Sequence, residues 1–480
     1  MKIITRDWIR DDAEFLSCYD FDSNKPIQYT KKDLCEFIDF WKDHLLFNGA
    51  KRGQKIGLAF DHADIHYTAL MFAAFELGMI YVTLHKATTD IELLTSKVNG
   101  NLPLDFFIFW SDLAEHPKFA LSTRYYKSKS KVALSWDYPT WRKTCDTFRL
   151  KKKTPILAKP EDKMLLLQTS GTTGDSKKVS HTHETLYDLC SKNWKVLGYT
   201  ENDTVLNISS LNHGGSISIF QLPALLKAKK HYFVPLFSPN ENRVIENLYT
   251  ACKQYGITKF TSAHAGFVDS LIQYIDTNGA LKDLEFLILS FISPKWVDAV
   301  KRGSIKQVAS AFGSTETCGP LFISKLNKDT AEEFDPTFLG KPIEIYHKIT
   351  VNPFTVTMPS GDVIEMGDEL REGAYFVRKK HLKKINDIDI NPIDIYNILE
   401  KYTSRYKVEI FVDEVYNELY ILTCDKDLDK EVLKEIEALY AGEVRVTDLL
   451  YVPELQDFNV SVKADSEKIA EYINRVCRGR

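Results

Sequence analysis

Thr169-Ser170-Gly171-Thr172-Thr173-Gly174-Asp175-Ser176-Lys177 follows directly on an apolar run, Met164-Leu165-Leu166-Leu167. The run reads as a buried strand that feeds a tight loop. Gly171 and Gly174 let the backbone turn sharply and aim several N–H groups in one direction. The serine and threonine hydroxyls add donors, and Lys177 adds a compact cation. That combination suits the phosphates of a nucleoside triphosphate. It is not the Walker loop, in which a lysine follows its second glycine directly; here Asp175 and Ser176 separate Gly174 from Lys177.

Outward from this loop the chain alternates between strand and helix patterns. Ile56-Gly57-Leu58-Ala59-Phe60 reads as a strand, Tyr67 to Leu77 as a helix stopped by Gly78, and Ile80-Tyr81-Val82-Thr83-Leu84 as a second strand. The alternation recurs over Met164–Val234 and Thr258–Ala311. Repeated strand–helix–strand units imply an α/β fold with parallel sheets covered by helices on both faces. Over 350–378 the texture changes to short strands and turns, and a basic run, Lys379-Lys380-His381-Leu382-Lys383-Lys384, follows. A domain boundary is expected near 378–380, dividing the chain into 1–378 and 379–480. In the tail, Glu409–Leu422 reads as a hairpin around Asn417 and Leu428–Tyr440 as a helix.

At 480 residues, with 44% hydrophobic and 12% aromatic content, the chain has material for more than one sizeable core. A net charge of -4 argues against nucleic acid or an anionic membrane as partner of the whole protein. Cys18, Cys35, Cys145, Cys190, Cys252, Cys318, Cys424 and Cys477 are scattered without a C-x-x-C pair, which fits reduced thiols rather than a disulfide framework. The N-terminus lacks an apolar signal core and no apolar run reaches membrane-spanning length, so a soluble, cytoplasmic protein is expected.

Two later strings share the chemistry of the loop. In Ala311-Phe312-Gly313-Ser314-Thr315-Glu316 an aromatic face can stack on a base, a hydroxyl can bond a phosphate, and Glu316 can hold Mg²⁺, a hard cation that favours oxygen ligands. In Gly367-Asp368 the carboxylate can accept bonds from ribose hydroxyls. Taken singly, each string is also compatible with an ordinary turn.

In this order the strings resemble the adenylate-forming superfamily of acyl- and aryl-CoA ligases, carrier-protein adenylation domains and luciferase. Ser170-Gly171-Thr172-Thr173-Gly174, Lys177 and Thr182-His183 match its S-G-T-T-G-x-P-K-G loop and following T-H pair. Phe312-Gly313-Ser314-Thr315-Glu316 matches the aromatic-G-x-T-E motif, Met366-Gly367-Asp368 stands at T-G-D, and Gly340-Lys341-Pro342 matches G-x-P. Asn212-His213-Gly214-Gly215 resembles the segment lining the acyl pocket, in a form similar to o-succinylbenzoate-CoA ligases.

The resemblance implies a large N-terminal domain of two α/β subdomains plus a small β-barrel, with a smaller mobile α+β C-terminal domain. It implies ATP-dependent activation of a carboxylic acid through an acyl-adenylate, with release of pyrophosphate. Transfer to CoA is the first expectation; passage to a carrier protein or amine is the alternative, and a non-catalytic nucleotide- or acyl-binding relative the second. Thr169, Ser170, Gly171, Thr172, Thr173, Gly174, Lys177, Phe312, Gly313, Ser314, Thr315, Asp368, Tyr375 and Arg378 would bind the nucleotide. Lys177, Glu316 and Lys463 would be catalytic, Glu316 the Mg²⁺ ligand, His213 and Gly214 part of the acyl pocket, and Lys380 the hinge.

The chain departs from the pattern in places. Ser176 and Lys178 replace a proline and a glycine of the loop, Met366 replaces a threonine, and Val462 replaces the glycine before the C-terminal lysine. Phe291-Ile292-Ser293-Pro294 stands at G-G-A-P, where two bulky side chains predict a narrowed pocket or a shifted base. Asp387 replaces a glycine of the pantetheine tunnel and would crowd an incoming thiol.

Overall fold

The computed structural model describes most of the chain. Residues 1, 18–25, 60–64, 85–102, 111–119, 137–154, 169–177, 210, 234–243, 264, 290–291, 336–337, 344, 347, 351–352, 367–368, 372–374, 378–382, 387, 391, 404–406, 454, 456–458, 461–462, 465 and 479–480 lie outside the described residues.

In chain order the strands of the two large sheets are β1 (Glu14–Ser17), β2 (Ile27–Thr30), β3 (Lys55–Ala59), β4 (Ile80–Val82), β5 (Leu104–Trp110), β6 (Ser130–Trp136), β7 (Lys163–Gln168), β8 (Lys178–Thr182), β9 (Thr204–Asn207), β10 (Lys230–Phe233), β11 (Lys259–Ser262), β12 (Leu281–Ile288), β13 (Ile305–Ser314), β14 (Gly319–Asn327) and β15 (Lys341–Pro342). One sheet has the order β6-β5-β3-β4-β7-β8, parallel except for β8. The other has the order β15-β14-β13-β12-β11-β9-β10-β1-β2, parallel from β13 to β1 with antiparallel strands at both edges.

The first and third strand–helix–strand units hold as expected. The stretch Met164–Val234 divides instead: β7 and β8 close an edge of the six-stranded sheet, while β9 and β10 join the nine-stranded one. Long-range pairing overrides chain continuity here, because each of these strands completes a different hydrophobic layer.

Helix α1 (Lys31–Phe47) starts at a capping box, Thr30 with Asp33, and α2 (Ile65–Glu76) is buried along its whole length, which fits its lack of charge before Glu76. Helix α3 (His183–Leu197) is capped by Thr182, whose Oγ1 accepts from the Thr185 N–H at 3.2 Å, and ends at left-handed Gly198.

A buried ionic cluster joins the N-terminal segment to α1 and α2. Arg6 Nη2 lies 2.6 Å from Asp39 and 2.7 Å from Glu76, and the fully buried Lys42 ammonium is 2.7 Å from Glu76. Burial opposes the Glu76 charge, yet Arg6 and Lys42 together hold its carboxyl below the usual range.

After the large sheets come an antiparallel three-stranded sheet (Lys348–Thr350, Thr355–Thr357, Val363–Glu365) and a hairpin (Glu369–Arg371 with Tyr375–Val377), where the sequence changes to short strands and turns. Further on, Val408–Asp413 pairs antiparallel with Glu418–Thr423 around Asn417 at φ +54°, and Glu431–Leu439 is helical, both as expected from the sequence. The apolar side chains beyond residue 384 gather in two clusters of their own, one from Ile385 to Val446 and one from Tyr420 to Ile473. Those of the large sheets form separate clusters that end at Leu370.

Candidate functional site

The carboxyl ends of parallel strands are where open α/β sheets place their ligands. Strand β7 ends at Gln168, immediately before the glycine-threonine loop, and β8 begins at Lys178, immediately after it; the two residues are register partners. Thr169, Ser170, Gly171, Thr172, Thr173, Gly174 and Lys177 themselves lie outside the described residues. The flanking ladder therefore fixes where the loop leaves the sheet and where it returns.

Phe312, Gly313 and Ser314 end β13, and Thr315-Glu316-Thr317-Cys318 turns into β14. The ladder slips between Phe312 and Gly313, so the strands approach closely. A Cβ on Gly313 would stand 2.2 Å from the Gly319 carbonyl oxygen, which explains the glycine. The turn is braced from within: Cys318 N donates to Ser314 O at 3.0 Å, Thr317 N donates to Ser314 Oγ at 3.2 Å, and Thr317 Oγ1 donates to Gly319 O at 3.2 Å. Cys318 takes the left-handed conformation at φ +48°. The Phe312 ring is half-buried, 6.2 Å from that of Phe322.

Two contacts bring distant motifs to this turn. Ser314 Oγ lies 4.0 Å from Met366 Sδ, which sets the start of the Met366-Gly367-Asp368 string beside it. His181 Nε2, on β8, lies 2.9 Å from the Thr315 carbonyl oxygen. Burial alone would push the His181 imidazole down, but Cys318, the Thr315 carbonyl and the Glu316 carboxylate more than offset it, so its pKa is raised.

The Asn212–Gly215 segment meets the same sheets. Asn212 Oδ1 accepts from the Leu84 N–H at 3.1 Å and from Tyr81 OH at 3.3 Å, and Tyr81 also donates to Leu211 O at 3.0 Å. Gly214 is pressed on Leu167 of β7, where a Cβ would come within 2.6 Å of Leu167 Cδ1; Gly215 is pressed equally close on Leu289, just past β12. His213 is exposed, and its carbonyl accepts from Ser216 N at 3.0 Å and Ile217 N at 3.3 Å as the chain enters a π-helical turn, Ser216–Gln221.

Of the remaining sequence candidates, Asp368, Arg378, Lys380 and Asp387 lie outside the described residues. Tyr375 and Lys463 are placed by their backbone, on the strands Tyr375–Val377 and Lys463–Ala464. Of the bulky pair expected to narrow the pocket, Phe291 lies outside the described residues, while Ile292 is buried in the core of the nine-stranded sheet. The Thr182-His183 pair is structural. Thr182 caps α3, and buried His183 accepts from the Ile4 N–H at 3.2 Å, its pKa pushed down to about 4 by burial.

Sequence reasoning passed over His181. Its only signal was a polar residue at a strand position that alternation assigns to the interior, two residues before a histidine that the motif did single out.

Residues 17–351 match the AMP-binding enzyme family, and the chain belongs to that family, within the adenylate-forming superfamily. It is 29% identical over 249 residues to atromentin synthetase greA of Suillus grevillei, a match covering 46% of this chain and 25% of that protein. It is 29% identical over 183 residues to the chloroplastic/peroxisomal 2-succinylbenzoate–CoA ligase of Arabidopsis thaliana, covering 37% of this chain and 31% of that one. The chain spans about a quarter of the length of the atromentin synthetases it matches, two of which, both from Paxillus involutus, are named as inactive.

Among solved structures, the anthranilate CoA ligase AuaEII in complex with anthranoyl-AMP superposes with a TM-score of 0.75 at 14% identity, over 100% of this chain and 98% of that one. The o-succinylbenzoate CoA synthetase of Bacillus subtilis in complex with AMP gives 0.72 at 16% identity, over 95% and 94%. These likenesses establish the fold. Among the described residues, no helix is long and apolar enough to cross a membrane, and Cys35, Cys190, Cys252, Cys318, Cys424 and Cys477 are free thiols.

Proposed function

We propose that this chain activates a small-molecule carboxylic acid with ATP, forming an acyl-adenylate and releasing pyrophosphate, and then passes the acyl group to CoA. The observation that carries this reading is the 2.9 Å contact between His181 and the Thr315 carbonyl, which joins the strand leaving the glycine-threonine loop to the turn bearing Glu316. A link between residues 134 positions apart supports a single site shared by both motifs.

Two anions must meet in the first step, so the site has to neutralise charge while holding the partners in line. Thr169, Ser170, Gly171, Thr172, Thr173, Gly174 and Lys177 would hold the β- and γ-phosphates. Phe312 to Thr315 would bound the base and α-phosphate, Asp368, Tyr375 and Arg378 the ribose. His213 and Gly214 would line the acyl pocket, on the side where Leu167 and Leu289 pack.

The residues fit a magnesium ion. Glu316 offers a half-buried carboxylate in the same turn as the Ser314 and Thr315 hydroxyls. A hard cation that favours oxygen ligands would be shared between this carboxylate and the phosphates. Such an ion would supply charge neutralisation at the phosphate oxygens.

The two sets of core clusters support a division into 1–378 and 379–480, with Lys380 as the hinge. The smaller part would carry Lys463 to the α-phosphate. Removing one such contact costs about 10²–10³ in rate. Lys463→Ala is therefore expected to abolish adenylate formation while sparing transfer from a supplied acyl-adenylate. Wild-type adenylation in that variant would remove Lys463 from the mechanism.

Asp387 favours a second reading of the acceptor, a carrier protein or amine, since a carboxylate there would crowd an incoming thiol. The matches to atromentin synthetases support it to a comparable degree. Product analysis with CoA, a carrier protein or hydroxylamine supplied in turn separates the two. A CoA thioester formed at the rate of adenylation sustains the first reading, and an acyl-adenylate that turns over only with another acceptor sustains the second.

A further inference from the structure

The turn between β13 and β14 is held from within at Ser314 and Gly319, whose carbonyls accept from Thr317 and Cys318. The Thr315 carbonyl is different. Among the described residues, the hydrogen bond it accepts comes from His181, four residues past Lys177. A carbonyl oxygen can only accept, so His181 Nε2 carries the proton and donates. His181 is 5% exposed, and it sits on a strand fixed to β7 by the pairs Leu165↔His181, Leu166↔Ser180 and Leu167↔Val179. The donor is thus anchored to a rigid ladder. The group it grips is the peptide that leads directly into Glu316.

We propose that His181 is a positioning residue for nucleotide and metal binding. By holding the Thr315–Glu316 peptide against β8, it fixes the position of Glu316 relative to the strand that resumes at Lys178. This rests on the functional reading above, in which both bind one magnesium nucleotide. The motif's own histidine does not supply this link, because His183 accepts from Ile4 instead.

Removing the donor would leave the Thr315 carbonyl without that bond and let the turn drift. Loss of a hydrogen bond that orients a metal ligand typically costs about 10–100-fold in affinity. The test needs no knowledge of the acid. Binding of the α,β-methylene analogue of ATP to the full chain is measured while Mg²⁺ is titrated, for wild type, His181→Phe, His181→Gln and His181→Asn. Glutamine carries an amide donor to nearly the same reach as Nε2; asparagine stops a bond short.

The expected result is nucleotide affinity weakened about tenfold or more in His181→Phe and His181→Asn, with a higher Mg²⁺ midpoint, and near-wild-type behaviour in His181→Gln. A residue that merely packs would lower the urea midpoint of the variants without moving the Mg²⁺ midpoint, and that outcome overturns the proposal. Should His181→Phe fail to fold, the glutamine–asparagine contrast decides. If wild type binds the analogue and all soluble variants bind it equally, the role of His181 is overturned while the functional reading stands. If wild type itself does not bind it with Mg²⁺, the functional reading falls and takes this inference with it.

Discussion

Replacing Gly313 by alanine perturbs the site through its backbone alone. The new Cβ would lie 2.2 Å from the Gly319 carbonyl oxygen, 3.1 Å from its carbon and 3.3 Å from Pro320 Cα. An ordinary contact needs about 3.5 Å, so the strands must part by roughly an ångström. All three neighbours are main-chain atoms, and no side-chain rotation can relieve them. Overpacking of this kind costs about 1–3 kcal/mol. The displacement also passes to Ser314, Thr315 and Glu316, where a shift of about 1 Å in a positioned group is enough to cost on the order of 10² in rate. Urea denaturation read by tryptophan fluorescence measures the first effect, and acid-dependent pyrophosphate exchange the second. A Gly313→Ala protein with the wild-type urea midpoint and wild-type exchange would refute the claim that close strand approach shapes this turn.

Glu76→Gln strips the charge that pairs with partly buried Arg6 and buried Lys42, and should destabilise the fold by about 3–5 kcal/mol in urea titration; a loss below about 1 kcal/mol would mean that the cluster is solvated in solution. Because the Glu76 carboxyl is held below its ordinary range, its stabilisation is present above the unfolded carboxylate pKa and is lost as pH falls through the folded value. His183 and His231 are pushed down to about 4 by burial, so the unfolded chain binds more protons than the folded one between about 4 and the ordinary imidazole value of about 6.5. Stability should rise with pH across that window, by roughly 3 kcal/mol for each histidine, partly opposed by His181, whose raised pKa stabilises the fold at low pH. Urea midpoints taken from about pH 4.5 to about pH 7.5 check this, and a midpoint that does not rise would contradict it. Asn212→Ala removes the contacts to Leu84 N and Tyr81 OH, and should raise the KM for the acid while leaving Mg-ATP affinity within about twofold; equal effects on both substrates would argue that the segment is not part of the acyl pocket.

The turn after β13 was legible because its residues answer to local rules. Gly313 is needed where two backbones nearly touch, and a strand ends just past the apolar run at Leu167 and again past Ala311. The paired strands around Asn417 were equally visible, since period-two alternation on both sides of a left-handed residue marks a hairpin. What escaped the sequence depends on long-range pairing. Nothing local distinguishes β8, which turns back on β7, from β9, which joins the other sheet; that choice is made by which hydrophobic layer each completes. The contact made by His181 was hidden for the same reason, because its partner lies 134 residues away. His183, matched in the sequence to the T-H pair with no role attached, is buried and accepts from the Ile4 N–H, which makes it part of the scaffold.

Convergence of distant segments to join ATP to a carboxylic acid is tested most directly by exchange of labelled pyrophosphate into ATP, run across a panel of aryl, fatty and amino acids. Exchange should require both Mg²⁺ and a particular carboxylic acid, and should disappear in Lys177→Ala. Exchange with no acid in the panel, from a folded protein that binds Mg-ATP, would contradict this and would mark the chain as a binding relative rather than an enzyme.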